Sequence, residues 1–225
     1  MCNRMICLVS GVLLVGLLGA TAVAQNQILN WEFDEPMDLD DVWNFWRSEH
    51  FASVSIVEGA GLSGKYAMKI DIGTGPFDPL QVFQSNLMLE QGATYTISFM
   101  AKADAPRTVT VQLQARSNHS PAWYVYWQEA DLQLTTEPQT FTFEYTHTGA
   151  TVGGTSDWLA NIDLHWLLVG DGTDLYLDHI WLGVGPPPPP LTAMFSASEP
   201  DPADAATDVP REVVLSWTPG EFAQA

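Results

Sequence analysis

Two runs of the chain alternate apolar with polar residues at the spacing of a β-strand. In residues 108–116, Val109, Val111, Leu113 and Ala115 alternate with Thr110, Gln112, Gln114 and Arg116. In residues 161–169, Ile162, Leu164, Trp166 and Leu168 alternate with Asn161, Asp163 and His165. Successive strand side chains point to opposite faces, so each run has one side fit for a core and one side that is poor core material. Amides, a guanidinium, a carboxylate and an imidazole are planar donors and acceptors that can order the hydroxyls of a ligand. Between the runs lies the stretch 118–127, with Trp123, Tyr124, Tyr126 and Trp127. Aromatic faces pack on the apolar faces of pyranose rings. The chemistry suggested is recognition of a hydroxyl-rich ring compound. Taken singly, such an aromatic is more often core and a lone His such as His165 more often a structural hydrogen-bonder, so the argument rests on the polar row.

Other chemistries find little support. Residues 1–24 have the form of an export signal: Arg4, the apolar stretch 6–18, and Ala22-Val23-Ala24 before Gln25. Both cysteines, Cys2 and Cys7, lie inside it, so the mature chain would have no disulfide, no cysteine-ligated zinc and no thiol nucleophile. With 27 acidic and 8 basic residues the net charge is −19, and it becomes more negative when Arg4 leaves with the signal. That argues against nucleic acid and anionic lipid, which demand a basic patch, and favours neutral over polyanionic glycans. No Ser-His-Asp or His-rich metal pattern stands out. The acidic loop 34–41 lacks the glycine and terminal glutamate of an EF-hand.

The elements that must position the polar row are strands. Apolar alternation recurs in Met68-Ile70-Ile72, Tyr95-Ile97-Phe99-Ala101, Leu132-Leu134 and Phe141-Phe143-Tyr145, with turn residues every 8–12 positions and no convincing helix over 25–185. This pattern predicts an all-β sandwich, and about 160 residues suffice to bury roughly 70% of the unfolded surface in one domain. In the last run, Leu175–Gly183, Leu175 and Leu177 share one face while Ile180 and Leu182 share the other. Either a β-bulge at Asp178-His179 shifts the alternation, or Trp181 simply continues the first face.

The closing run Leu175-Tyr176-Leu177-Asp178 and the segment Thr94–Ala103 (TYTISFMAKA) resemble the secreted carbohydrate-binding modules of the family 4/9/22 type. The opening run Ile28–Asp34 is similar to that family's Asn-Gly-x-Phe-Glu strand, with Trp31 for the glycine and Asp34 for the glutamate. The resemblance implies a jelly-roll β-sandwich of the galactose-binding-like type and a structural calcium. The ligands it implies are Asp34 and Asp178, with oxygens from near Glu32 and Ser63. Residues 75–82 are similar to the family's aromatic-x-x-x-Gln segment, which implies that Phe77 stacks on a sugar and Gln81 bonds its hydroxyls. The implied ligand face is a concave sheet with Gln112, Gln114, Arg116, Asn161, Asp163 and His165, rimmed by Phe77 and Trp123.

The expected organisation is a signal peptide over 1–24, a module of this type over 25–185, a polyproline linker over 186–190, and the start of an Ig-like or fibronectin-III-like domain over 191–225. The expected function is noncatalytic binding of a neutral polysaccharide or oligosaccharide by a secreted or cell-surface protein with further domains. No nucleic acid partner and no membrane insertion after signal cleavage are expected. Two alternatives stay open: a fragment of a glycan-active hydrolase, or an adhesion spacer with no glycan affinity.

Overall fold

A computed structural model of the protein describes residues 25–33, 43–46, 52–60, 62–74, 80–191, 198–201 and 216–218. Residues 1–24, Asp34, Phe77 and most of 191–225 lie outside the described residues. The first sheet contains β1 (Asn44–Trp46), β4 (Leu80–Leu89), β10 (Ile162–Leu168), β6 (Arg107–Ala115) and β7 (Val125–Leu134) in that spatial order, with β9 (Val152–Gly153) paired to β4. The second has the order β2 (Ala52–Glu58), β3 (Tyr66–Ile72), β11 (Leu175–Val184), β5 (Thr94–Ala103), β8 (Gln139–Thr146). Neighbouring strands in both sheets pair antiparallel. Two short strands, β12 (Ser198–Asp201) and β13 (Ser216–Thr218), pair with each other near the C-terminus. Among the described residues no helix is long and apolar enough to cross a membrane. Among the described residues a 3-10 turn lies at Trp158–Ala160.

The apolar halves of the alternating runs meet between the sheets. Val111, Leu113, Ile162, Leu164, Trp166 and Leu168 of the first sheet face Met68, Ile70, Ile97, Phe99, Leu175 and Leu177 of the second, all fully buried. Trp166 sits near the middle, its ring 5.5 Å from Phe99 in an edge-on contact and 6.0 Å from Trp43.

The irregularity in the closing strand is a bulge. The register of β11 against β5 shifts between Asp178 and Trp181, and His179 has φ 49°. The extra residue rotates the strand so that Leu175, Leu177, Ile180 and Leu182 are all fully buried. Alternation alone would have turned one pair away from the core.

The opening run is not a strand. Residues 28–32 form turns, with Asn30 and Phe33 in the left-handed region at φ 47° and 53°. Side-chain amides hold this segment across the seam between the sheets. Gln84 Nε2 donates to Leu29 O while its Oε1 accepts from Leu29 N, and Gln27 pairs in the same way with the backbone of Met88. On the other side Gln27 N donates to Leu182 O and Ile180 N to Trp31 O. Amides imitating a peptide group satisfy the backbone without a continuous ladder.

Candidate functional site

Strand register brings the polar halves of the runs together on the side of the first sheet turned away from the core. His165 of β10 lies opposite Phe83 of β4 and Gln112 of β6, and Asp163 lies opposite Gln114. Gln81 shares this side of β4 with Phe83, opposite Leu167. A register shift in the β4–β10 pairing between Ile162 and Leu164, with Asn86 at φ 67°, leaves Ser85 beside this row.

At its centre is an ion pair. Arg116 Nη1 donates to Asp163 Oδ2 at 2.7 Å and to Ser85 Oγ at 3.1 Å. The guanidinium carbon stands 4.8 Å from the centroid of the Phe83 ring. On that ring His165 stacks at 4.9 Å and 15°, and its Nε2 donates to the same Asp163 Oδ2 at 3.2 Å. Asp163 is 0% exposed and His165 2%. Desolvated charges hold such positions only when paired, so Asp163 orients a cation and an imidazole together. Its second oxygen, Oδ1, and His165 Nδ1 have no hydrogen-bond partner.

The remaining sequence candidates fall in different places. Gln112 is buried, whereas Gln114 is half-buried and its Nε2 donates to Trp123 O at 3.3 Å. Trp123 is 52% exposed, next to the 51%-exposed Tyr124, on a loop tied back by a hydrogen bond from Trp123 N to Arg116 O. Tyr126 and Trp127 instead pack against the core, Trp127 at 5.4 Å from Phe143. Asn161 is engaged in holding its own loop: Nδ2 donates to Asn86 Oδ1 and Thr155 O, and Oδ1 accepts from Thr155 N. Phe77 lies outside the described residues. Phe83 and Ser85 were missed by sequence reasoning, although alternation through Gln81-Val82-Phe83 carried a signal for Phe83.

A second cluster lies at the β11 bulge. Ser63 Oγ donates to Glu32 Oε2 at 2.7 Å and Ser63 N to Asp178 Oδ2 at 2.8 Å, so one serine joins two buried carboxylates. His179 Nδ1 also contacts Glu32 Oε1, and the backbone N of His179 donates to Asp178 Oδ1 at 2.8 Å. Trp31 flanks the imidazole at 5.0 Å. Glu32, Ser63 and Asp178 thus converge, and each of the four carboxylate oxygens already contacts a protein nitrogen or hydroxyl. Asp34 lies outside the described residues, and among those described no group of three His, Cys, Asp or Glu is arranged to hold a metal.

Comparison with known proteins agrees with the β-sandwich fold. Residues 25–155 match the family CBM_4_9, described as a carbohydrate binding domain. A solved structure titled "CBM4 structure and function" shares 30% identity, covers 70% of this chain and 99% of its own, and superposes with a TM-score of 0.51. A Stig cyclase from Fischerella is similar in fold at 13% identity and TM-score 0.52, covering 74% of this chain and 99% of its own. An α-L-arabinofuranosidase, MgGH51, is similar at 16% identity and TM-score 0.50, over 71% of this chain and 26% of its own. None of the curated proteins matches the chain. With the sandwich, the family match and the CBM4 likeness in agreement, the chain belongs to the CBM_4_9 family, and its module is a noncatalytic carbohydrate-binding domain.

Proposed function

We propose that the module binds a neutral polysaccharide or oligosaccharide on the outer side of the first sheet, over Gln81, Gln112, Gln114, Arg116, Asp163 and His165, with Trp123 as a stacking ring at the edge. The observation that carries this reading is the polar row that strand register assembles on one side of the first sheet, edged by the 52%-exposed Trp123 and the half-buried Gln114. An aromatic face and a reachable amide suit the apolar faces and hydroxyls of a sugar ring, and the acidic chain disfavours a carboxylate or sulfate ligand. The ion pair to Arg116 also occupies the Asp163 carboxylate, which suits binding better than acid–base chemistry. Calorimetric titration with a panel of neutral and uronic polysaccharides tests it. At least one neutral chain binds with an affinity that is flat in salt, and no reducing ends appear on long incubation. Heat of binding only from the uronic members would overturn the reading.

The same proposal places the protein outside the cell, exported by its signal segment and carrying further domains beyond the prolines. It includes a structural calcium with Asp34 and Asp178 as its carboxylate ligands and oxygens from near Glu32 and Ser63, which would stabilise the fold by binding the native state. Its check is the melting temperature, higher in excess calcium than in chelator; equal values discard the ion.

A further inference from the structure

The proline run does not leave the module as a free spacer. His179 Nε2 lies 2.9 Å from Pro188 O, and since a carbonyl only accepts, the imidazole donates. Three residues on, Leu191 N donates to Ser63 Oγ at 3.0 Å. Before these contacts, Pro186 and Pro187 form one wall of a groove of about 370 Å³ whose other walls are Thr94, Thr96, Thr142 and Glu144 of β5 and β8. The prolines 187–190 are partly covered.

We infer that the outer side of the second sheet carries a binding site for a proline-rich segment, built from His179 and Ser63 and filled by the chain's own residues 186–191. The donor–acceptor balance fits that ligand. A polyproline stretch has carbonyls but no N–H groups, so its receptor must donate, which His179 does from a fully buried ring. Leu191 supplies the first backbone N–H after the run, and there the receptor changes sign and accepts through Ser63 Oγ. Both groups are aimed from behind by one residue. Glu32 Oε1 contacts His179 Nδ1, and Glu32 Oε2 accepts a hydrogen bond from the Ser63 hydroxyl, whose oxygen in turn accepts from Leu191 N. Glu32 is therefore a positioning residue for the linker. Proline rings lose little conformational freedom on docking, because the segment is already stiff. The site lies on the opposite sheet from the proposed glycan face, so an occupied linker site leaves that face open and sets the direction in which the chain departs.

Backbone relaxation on the full mature chain, in chelator, tests this. The Leu191 amide has an order parameter near that of the strands, about 0.85, whereas a free linker would give less than about 0.6. Ser63→Ala drops the Leu191 value into the flexible range, and Ser63→Thr, which keeps the hydroxyl, restores it. A second variant avoids the core altogether: residues 186–190 replaced by Gly-Ser of equal length. In it the His179 ring resonances shift, and adding an acetylated Gly-Pro-Pro-Pro-Pro-Pro-Leu amide peptide shifts them back. A flexible Leu191 in the wild type, or His179 resonances unchanged by the linker replacement, would overturn the inference.

Discussion

At the scale of single residues, burial and partnership separate the polar row into parts with different tasks. Asp163 holds Arg116 and His165 at once through a single oxygen, so its loss takes the carboxylate away from a buried guanidinium. Asp163→Ala is expected to cost about 3–5 kcal/mol of stability, the usual penalty for breaking a buried ion pair; a shift of the urea midpoint worth less than about 1 kcal/mol would mean that water already reaches the pair. Trp123 and Gln114 sit where ligand can reach them without the fold depending on them. Trp123→Ala should weaken glycan binding by about 2 kcal/mol, roughly thirtyfold in Kd, because stacking and desolvation concentrate in few side chains. Gln114→Ala should cost about 1 kcal/mol, since each such bond replaces one to water. Calorimetry decides between them, with unchanged melting curves as the control. If Trp123→Ala binds like wild type, the stacking ring is elsewhere on the face.

At the scale of elements, strands are set as much by what interrupts them as by their alternation. The shift in the β4–β10 register that brings Ser85 toward Arg116 is closed from behind by β9, whose Gly153 pairs with Met88 at φ 80°. A Cβ there would stand 2.1 Å from Leu87 O, and the left-handed backbone adds strain of its own. Gly153→Ala should therefore destabilise by at least about 2 kcal/mol, read as a fall in melting temperature. Tolerance at wild-type stability would show that β9 can detach from β4. Across β3 and β11, Lys69 contacts Asp71 and reaches Asp174 at 2.9 Å. Asp71 first, and then Asp174, raises the Lys69 ammonium above its ordinary value of 10.5, while Lys69 holds the Asp71 carboxyl below its ordinary 3.8. The stabilisation is thus full between those two values. It fades as pH falls through the lowered Asp71 value and as pH rises through the raised Lys69 value. Because the carboxylate is part-exposed, the size stays within about 1 kcal/mol. The stability gap between wild type and Lys69→Ala should be level from about pH 5 to 9 and shrink toward pH 2; a gap constant down to pH 2 would contradict this account.

At the scale of the whole molecule, a net charge of −19 opposes compaction while leaving a neutral ligand untouched. Raising salt shortens the screening length to about 8 Å at physiological strength. The melting temperature should therefore climb between about 10 and 200 mM NaCl while glycan affinity stays level. An affinity falling steeply with salt would point to a charged ligand instead. Much of this was legible in the sequence. Alternation in 94–103, 108–116 and 162–168 determined which residues enter the core and which form the polar row, because a period of two admits only two faces once one is apolar. The confinement of both cysteines to residues 1–24 and the acidic balance bounded the chemistry in the same direct way. Long-range pairing was decided only by the tertiary structure. Nothing local in Gln84 or Gln27 marks them as clamps on the seam, and the opening run reads as a strand although its amide partners hold it in left-handed turns. The bulge at His179 stayed open in the sequence because either alternation was locally allowed. Packing settled it, since only the bulged form buries Leu175, Leu177, Ile180 and Leu182 together. Phe83 was overlooked because its importance comes from Arg116 and His165, 33 and 82 positions away, and sequence spacing carries no record of which strands become neighbours.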